Sequence, residues 1–204
     1  MAQARAAAAR AGRTVALLGD LCGPKIRTGG APENGVTLKA GTMVEVVPGS
    51  AESTAGRISV SYHRLAREVR RGQRILLADG RMELRVQAVR GVRILAKVVT
   101  GGVLKSRKGV NLPDSSLSVP AMTAKDLSDL RAMASAKPDY VALSFVRTAH
   151  DLKVCRKAMD RVGLKESRLI AKLEKPEALE NLEAIVPACD GIMVARGDLG
   201  VEMA

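Results

Sequence analysis

The stretch LIAKLEKPEALENLEAIVPACDGIMVARGDLG, Leu169 to Gly200, decides the fold. It reads as a strand, a helix, a second strand and a glycine-lined turn that carries a carboxylate. In the first strand, side chains repeat with period two, so Ile170, Lys172 and Glu174 share a face and a cation emerges beside an anion. Pro176 opens the helix at a position where its missing N–H is harmless, and Leu179, Leu182, Ile185 and Val186 give that helix one apolar stripe. The second strand, GIMVA, is continuously apolar, as expected of a parallel strand buried on both faces. At its exit Gly197 strips away a side chain and Asp198 stands where the next helix begins. Glu174 and Asp198 therefore come from the C-terminal ends of neighbouring parallel strands, the edge where such folds build active sites.

Two carboxylates without a nearby histidine or cysteine suit a hard cation such as Mg²⁺, which takes one or two protein carboxylates and leaves its other positions to water or substrate. Lys172 beside them is a fixed positive charge for an oxyanion or a phosphoryl group. The alternative for this run is a solvated, salt-bridged surface face.

These residues resemble the signature region of the pyruvate kinase family. Three earlier runs, LGDLCGPKIRTG, KGVNLP and DYVALSFVR, resemble further blocks of that family in the same order. The resemblance implies that Lys172 stabilises phosphoryl transfer from phosphoenolpyruvate and that Glu174 and Asp198 bind Mg²⁺ or Mn²⁺. It also implies that Gly197 and Asp198 meet the substrate, that Arg27 and Lys108 meet the phosphates of ADP or ATP, and that Asp20 with the carbonyl of Leu21 holds K⁺. Relatives are cytoplasmic and assemble as homotetramers, which sets the same expectation for the parent protein.

Outside the signature region, the chain holds 47% hydrophobic and 26% charged residues, enough for a buried core, with no apolar run of membrane-spanning length. Three scattered cysteines without a CxxC spacing point to a reducing compartment, and Cys22 reads as a buried, inert thiol. A net charge of +12 raises nucleic acid as a partner, but 1% aromatic residues give no stacking surface and the arginines are spread along the sequence. No specific nucleic-acid or membrane partner is expected. The alanine- and arginine-rich start, up to Gly12, reads as a helix with a glycine stop, and TVALLGD after it as a buried strand that delivers Asp20.

From residue 28 to 118 the pattern changes to short alternating strands, with Asp79-Gly80 as a two-residue hairpin signal. This is expected to be an inserted small all-β barrel, the module that pyruvate kinases carry as a lid. Because the two ends of an insertion must meet, Arg27 and Lys108 are expected to converge. After Pro120 the α/β rhythm resumes, with a capping box at Thr123 and Asp126 and a buried strand DYVALSF. For Ser144, Phe145 and Arg147 at its end, pocket-lining and packing roles are both open. His63 and His150 have no partners in sequence and are not candidate catalysts.

The expected fold class is α/β, a partial TIM (β/α)8 barrel with an inserted small all-β barrel: residues 1–27 and 119–204 form barrel parts and 28–118 the lid. Only four barrel strands are legible where a closed barrel needs eight. By the resemblance, an RxNxSHG block before the chain, the closing strands and a C-terminal domain are lacking, so a central piece with little activity of its own is expected. Two rival readings stand beside this one: another metal-dependent barrel enzyme acting on pyruvate or phosphoenolpyruvate, and a non-catalytic, pyruvate-kinase-like or basic polyanion-binding protein.

Overall fold

The computed structural model describes residues 1–203. The chain divides into two compact units, Met1–Pro24 with Val119–Leu199, and Lys25–Ser118 with the residues from Gly200 on.

The first unit opens with α1 (Ala2–Arg10), built from alanine and arginine and stopped at Gly12, whose φ of 61° is the left-handed conformation glycine adopts without penalty. β1 (Leu18–Leu21) follows. It is shorter than the TVALLGD run, and Leu18 is 39% exposed rather than buried.

The second unit holds β2 (Val36–Leu38), β3 (Met43–Pro48), β4 (Arg57–Val60), a single-turn helix α2 (Leu65–Glu68), β5 (Arg74–Leu77), β6 (Met82–Arg90), β7 (Arg93–Thr100), β8 (Gly102–Leu104) and β9 (Val110–Asn111). Alternation in β3, β6 and β7 places Val44, Val46, Leu84, Val86, Ile94, Ala96 and Val98 on one buried face. Six strands form a sheet in the order β4-β3-β7-β6-β5-β9, and β2 pairs with β8. Arg27 bridges to Gly109, just before β9, while Thr28 bridges to Val60 in β4, so two consecutive residues tie the two edges of the six-stranded sheet together. That closure makes the unit a small barrel and removes its free edges. The Asp79-Gly80 connection spans four residues, since Leu77 pairs with Met82, and Ala78, Asp79 and Gly80 all have positive φ.

After the module the first unit resumes with α3 (Ala124–Ala134), β10 (Tyr140–Leu143), α4 (Ala149–Arg161), β11 (Arg168–Leu173), α5 (Pro176–Glu180), α6 (Leu182–Ile185), β12 (Gly191–Val194) and the start of α7 (Arg196–Met203). The Thr123–Asp126 capping box is present: the Thr123 N–H donates to Asp126 Oδ2 at 2.8 Å and the Asp126 N–H to Thr123 Oγ1 at 3.2 Å. The strands form a wholly parallel sheet in the order β1-β10-β11-β12. This is the strand–helix alternation of a partial TIM barrel. Leu21, Val141, Leu143, Leu169, Ala171 and Leu173 pack with Leu130, Leu152, Cys155, Met159 and Ile185 from the helices.

Two expectations change here. The run from Pro176 to Val186 breaks at Asn181, whose side-chain amide donates to the carbonyls of Arg147 and Glu177, and Ala178 and Ile185 are buried while Leu179 and Val186 are exposed. GIMVA is not buried on both faces: Ile192 is 39% and Val194 56% exposed, since among the described residues β12 pairs with β11 alone. Among the described residues, no helix is long and apolar enough to cross a membrane.

Candidate functional site

The C-terminal ends of the parallel strands gather most of the singled-out residues of the first unit. Asp20 lies in β1, Ser144 directly follows β10, Lys172 lies in β11 with Glu174 just beyond it, and Asp198 sits in the first turn of α7. The register that aligns Asp20 with Ala142 and Ala142 with Ile170 brings these ends level.

Lys172 is the hub. Its Nζ lies 3.0 Å from Glu174 Oε1, 3.1 Å from Asp20 Oδ2, and donates to Ser144 Oγ at 2.9 Å. Glu174 is 1% exposed, and its second oxygen, Oε2, accepts the Phe145 N–H at 2.9 Å. Burial pulls the Lys172 ammonium down, but its hydrogen bonds and charge attraction to Glu174 and Asp20 outweigh this and hold its pKa above the ordinary lysine value. Burial pushes the Glu174 carboxyl up; the Lys172 and Phe145 hydrogen bonds oppose the rise, and the nearby Asp198 charge adds to it. One ammonium thus meets two carboxylates in a partly desolvated corner, and the charge of a third, Asp198, reaches Glu174. The surplus is negative, which is what a bound cation would balance.

Asp198 and Glu174 feel each other's charge, as expected of neighbouring strand ends. At Gly197 an added Cβ would meet nothing within 4 Å, so the backbone of that turn is open rather than packed. The Leu21 carbonyl accepts the Ser144 N–H at 3.3 Å, and the Leu21 side chain is fully buried. Among the described residues, no group of three or more histidine, cysteine or acidic side chains is arranged as a metal cage.

In the second unit Arg27 and Lys108 lie on adjoining segments. The Thr28 N–H donates to the Lys108 carbonyl at 2.8 Å, the Lys108 N–H to Thr28 Oγ1 at 3.0 Å, and Arg27 Nη1 to the Arg107 carbonyl at 3.0 Å. Thr28 is 3% exposed, so this crossing is a fixed point of the unit. His63 and His150 are exposed. Cys155 is buried and its thiol is pushed up to about 12 by desolvation, whereas Cys22 is partly exposed rather than buried.

Reading the sequence alone left the roles of Ser144 and Phe145 open and passed over Asp190. The Asp190 carboxylate accepts the Leu169 N–H at 2.6 Å and pairs with Arg156, pinning the start of β11. An aspartate just before an apolar strand was the only signal available for it.

The family described as pyruvate kinase, barrel domain, matches residues 1–204. A pyruvate kinase of Mycobacterium tuberculosis (strain ATCC 25618 / H37Rv) is 44% identical over 199 residues, covering 98% of this chain and 42% of that protein. The pyruvate kinase of Corynebacterium glutamicum is 43% identical over 199 residues, with the same coverage, and that of Geobacillus stearothermophilus is 40% identical over 205 residues, covering all of this chain and 35% of the relative. The chain thus spans less than half the length of these relatives. With the parallel sheet and the match over every residue in agreement, the chain belongs to the pyruvate kinase family through its barrel domain.

Proposed function

We propose that this chain forms the phosphoryl-transfer face of a pyruvate kinase, which moves the phosphoryl group of phosphoenolpyruvate to ADP and yields pyruvate and ATP. The observation that carries the proposal is Lys172, whose ammonium is held by Glu174, Asp20 and Ser144 at the C-terminal edge of the parallel sheet. A phosphoryl group in transfer spreads negative charge over its outer oxygens, and a positioned ammonium stabilises that charge without reorganising.

The donor chemistry fits the family's metals. Glu174 and Asp198 are hard oxygen donors with a negative surplus around them, and two carboxylates match the few protein ligands that Mg²⁺ or Mn²⁺ takes in phosphoryl-transfer sites. When bound there, the divalent cation supplies Lewis-acid neutralisation of substrate oxygens. The Asp20 carboxylate and the second lone pair of the Leu21 carbonyl are the oxygens available to K⁺. The open backbone at Gly197 together with Asp198 is assigned to substrate contact, and Arg27 and Lys108 to the nucleotide phosphates, where a guanidinium and an ammonium recognise phosphate oxygens. The β unit is assigned the role of a lid that excludes water when substrate is bound. We place the parent enzyme in the cytoplasm as a homotetramer.

The decisive experiment is Lys172→Met in the full-length protein. Turnover should fall by roughly 10³-fold or more while Mn²⁺ binds at least as tightly as in the wild type, because methionine keeps the packing and removes only the positive charge beside Glu174. A loss below about tenfold removes Lys172 from the chemistry. An activity on pyruvate or phosphoenolpyruvate that does not depend on ADP would point to the other class of metal-dependent barrel enzyme instead.

A further inference from the structure

Phe145 has φ 55°, a left-handed conformation that a bulky side chain adopts only where its surroundings hold it, and one that concentrates at functional sites. It stands one residue past Ser144, at the C-terminal end of β10. Between them these two residues touch both members of the central ion pair. Ser144 Oγ accepts from Lys172 Nζ at 2.9 Å, and the Phe145 N–H donates to Glu174 Oε2 at 2.9 Å. Ser144 is 2% exposed and Glu174 1%, so neither contact is exchanged with bulk water.

The surroundings of the turn explain how the conformation is held. The Ser144 N–H is tied to the Leu21 carbonyl at 3.3 Å. On the other side stands Gly23, also at positive φ (63°), where an added Cβ would come within 2.9 Å of the Phe145 ring and 3.3 Å of the Ser144 carbonyl. The Gly23 N–H is anchored in turn to Asp126 Oδ1 at 3.1 Å, and Asp126 is the fully buried capping residue of α3. A glycine thus makes room for a ring and a carbonyl that a side chain would displace.

We infer that the Ser144–Phe145 turn is a positioning device for the reaction: its left-handed backbone aims the Phe145 N–H at Glu174 while the Ser144 hydroxyl fixes the Lys172 ammonium. The inference rests on the roles proposed above for Lys172 and Glu174. Neither turn residue needs to touch substrate. Their part is to keep the carboxylate and the ammonium from rotating or collapsing further onto each other, which matters because an ångström of misplacement at a reacting centre costs large factors in rate.

The test separates the backbone from the ring. In the full-length protein, Phe145→Gly deletes the ring but accepts positive φ freely, whereas Phe145→Val is β-branched and resists it. Mn²⁺ affinity measured without substrate should stay within about threefold of wild type in Phe145→Gly and weaken roughly tenfold in Phe145→Val. If Phe145→Val does not fold, Phe145→Ala, which also resists positive φ, should show the same direction of loss. Equal Mn²⁺ affinities in the glycine variant and in the valine or alanine variant, whatever their melting temperatures, would overturn the inference and leave Phe145 as a packing residue. Ser144→Ala should lower kcat about tenfold or more with the KM for phosphoenolpyruvate within about threefold, and Ser144→Thr should recover most of it; a Ser144→Ala enzyme with unchanged kcat would overturn the other half. A wild-type protein that takes up no Mn²⁺ at millimolar concentration would instead refute the metal assignment of Glu174 and Asp198, a distinct result.

Discussion

The two units treat their sheet edges in opposite ways. In the β unit, Arg27 and Thr28 bridge the outer strands, so the backbone groups of the six-stranded sheet are paired around a closed surface. In the parallel unit, which holds four strands of the eight that a closed barrel has, β1 and β12 each pair with one neighbour among the described residues, and Leu18 is 39%, Ile192 39% and Val194 56% exposed. Closure makes the first sheet depend on one crossing point. The second sheet is clamped at its strand beginnings by Asp190, while the opposite, C-terminal ends carry the carboxylates and the lysine.

The sharpest way to break this comparison is at the crossing. Thr28→Val keeps the shape of the side chain but takes away the acceptor of the Lys108 N–H, in a residue 3% exposed. Lys108 is exposed, so its N–H can turn to water, and the loss should be that of one net hydrogen bond, about 0.5–1.5 kcal/mol. The melting transition of the β unit should drop accordingly, and amide exchange should quicken at Lys108 and along the strand edges on either side of the crossing. If exchange in those edges does not change, the crossing is not what closes the barrel.

How much of this was legible in the sequence follows from the same contrast. In the β unit, alternation such as Leu84, Val86 and Ile94, Ala96, Val98 states directly which face is buried, because period two leaves no choice. In the parallel unit, a continuous apolar run such as GIMVA looks the same whether one face is covered or two, so the exposure of Ile192 and Val194 had no sequence signal. That Lys172 stands beside Glu174 follows from the strand period, whereas the Asp20 contact with Lys172 needed the register that sets the strand ends level. The Ser144 and Phe145 contacts follow from neither, since the turn depends on a left-handed backbone angle that favours glycine, asparagine and aspartate and that Phe145 adopts against preference. Charge behaved in a similar way. The arginines are spread along the sequence, yet 17 of the 33 lysines and arginines fall between Lys25 and Ser118 against seven acids, and the fold then lines up some of them.

A smaller effect sharpens the picture of the parallel unit. Asp190 accepts the Leu169 N–H and pairs with Arg156, and the Leu169 carbonyl accepts the Asp190 N–H at 2.8 Å, so one residue clamps the beginnings of β11 and β12. The backbone hydrogen bond from Leu169, opposed by partial burial and reinforced by Arg156, holds the Asp190 carboxyl below the ordinary aspartate value. A depressed folded-state pKa means stability that is fully present above the unfolded value of about 4 and is lost as pH falls through the folded value. Asp190→Asn should therefore cost about 1 kcal/mol at pH 7, a modest figure because the group is substantially exposed, and the difference from wild type should shrink in acid. A pH-independent difference would assign the clamp to hydrogen bonding alone.

The smallest effect runs toward greater stability and belongs to the closed unit. Register places Arg74 opposite Arg85 and Arg85 opposite Lys97, so three cations lie in one row across β5, β6 and β7. Asp114 neutralises Arg74 and Glu83 neutralises Arg85, through contacts of 2.8 Å and 2.7 Å, which relieves the repulsion only at one end and the middle of the row. Like charges directly opposite on a sheet destabilise it, and an opposite-charge pair contributes roughly 0.2–1 kcal/mol. Lys97→Glu reverses the sign at the exposed end and should raise the melting temperature of the β unit by a degree or two at low ionic strength, with the gain fading as salt is added, because exposed pairs are screened within a Debye length of about 10 Å at 0.1 M. An unchanged or lower melting temperature at low salt would mean that the long side chains already splay apart, leaving the row without an energetic cost. A gain that persists at 1 M salt would assign it to strand packing instead, because charge effects at that ionic strength are confined to about 3 Å.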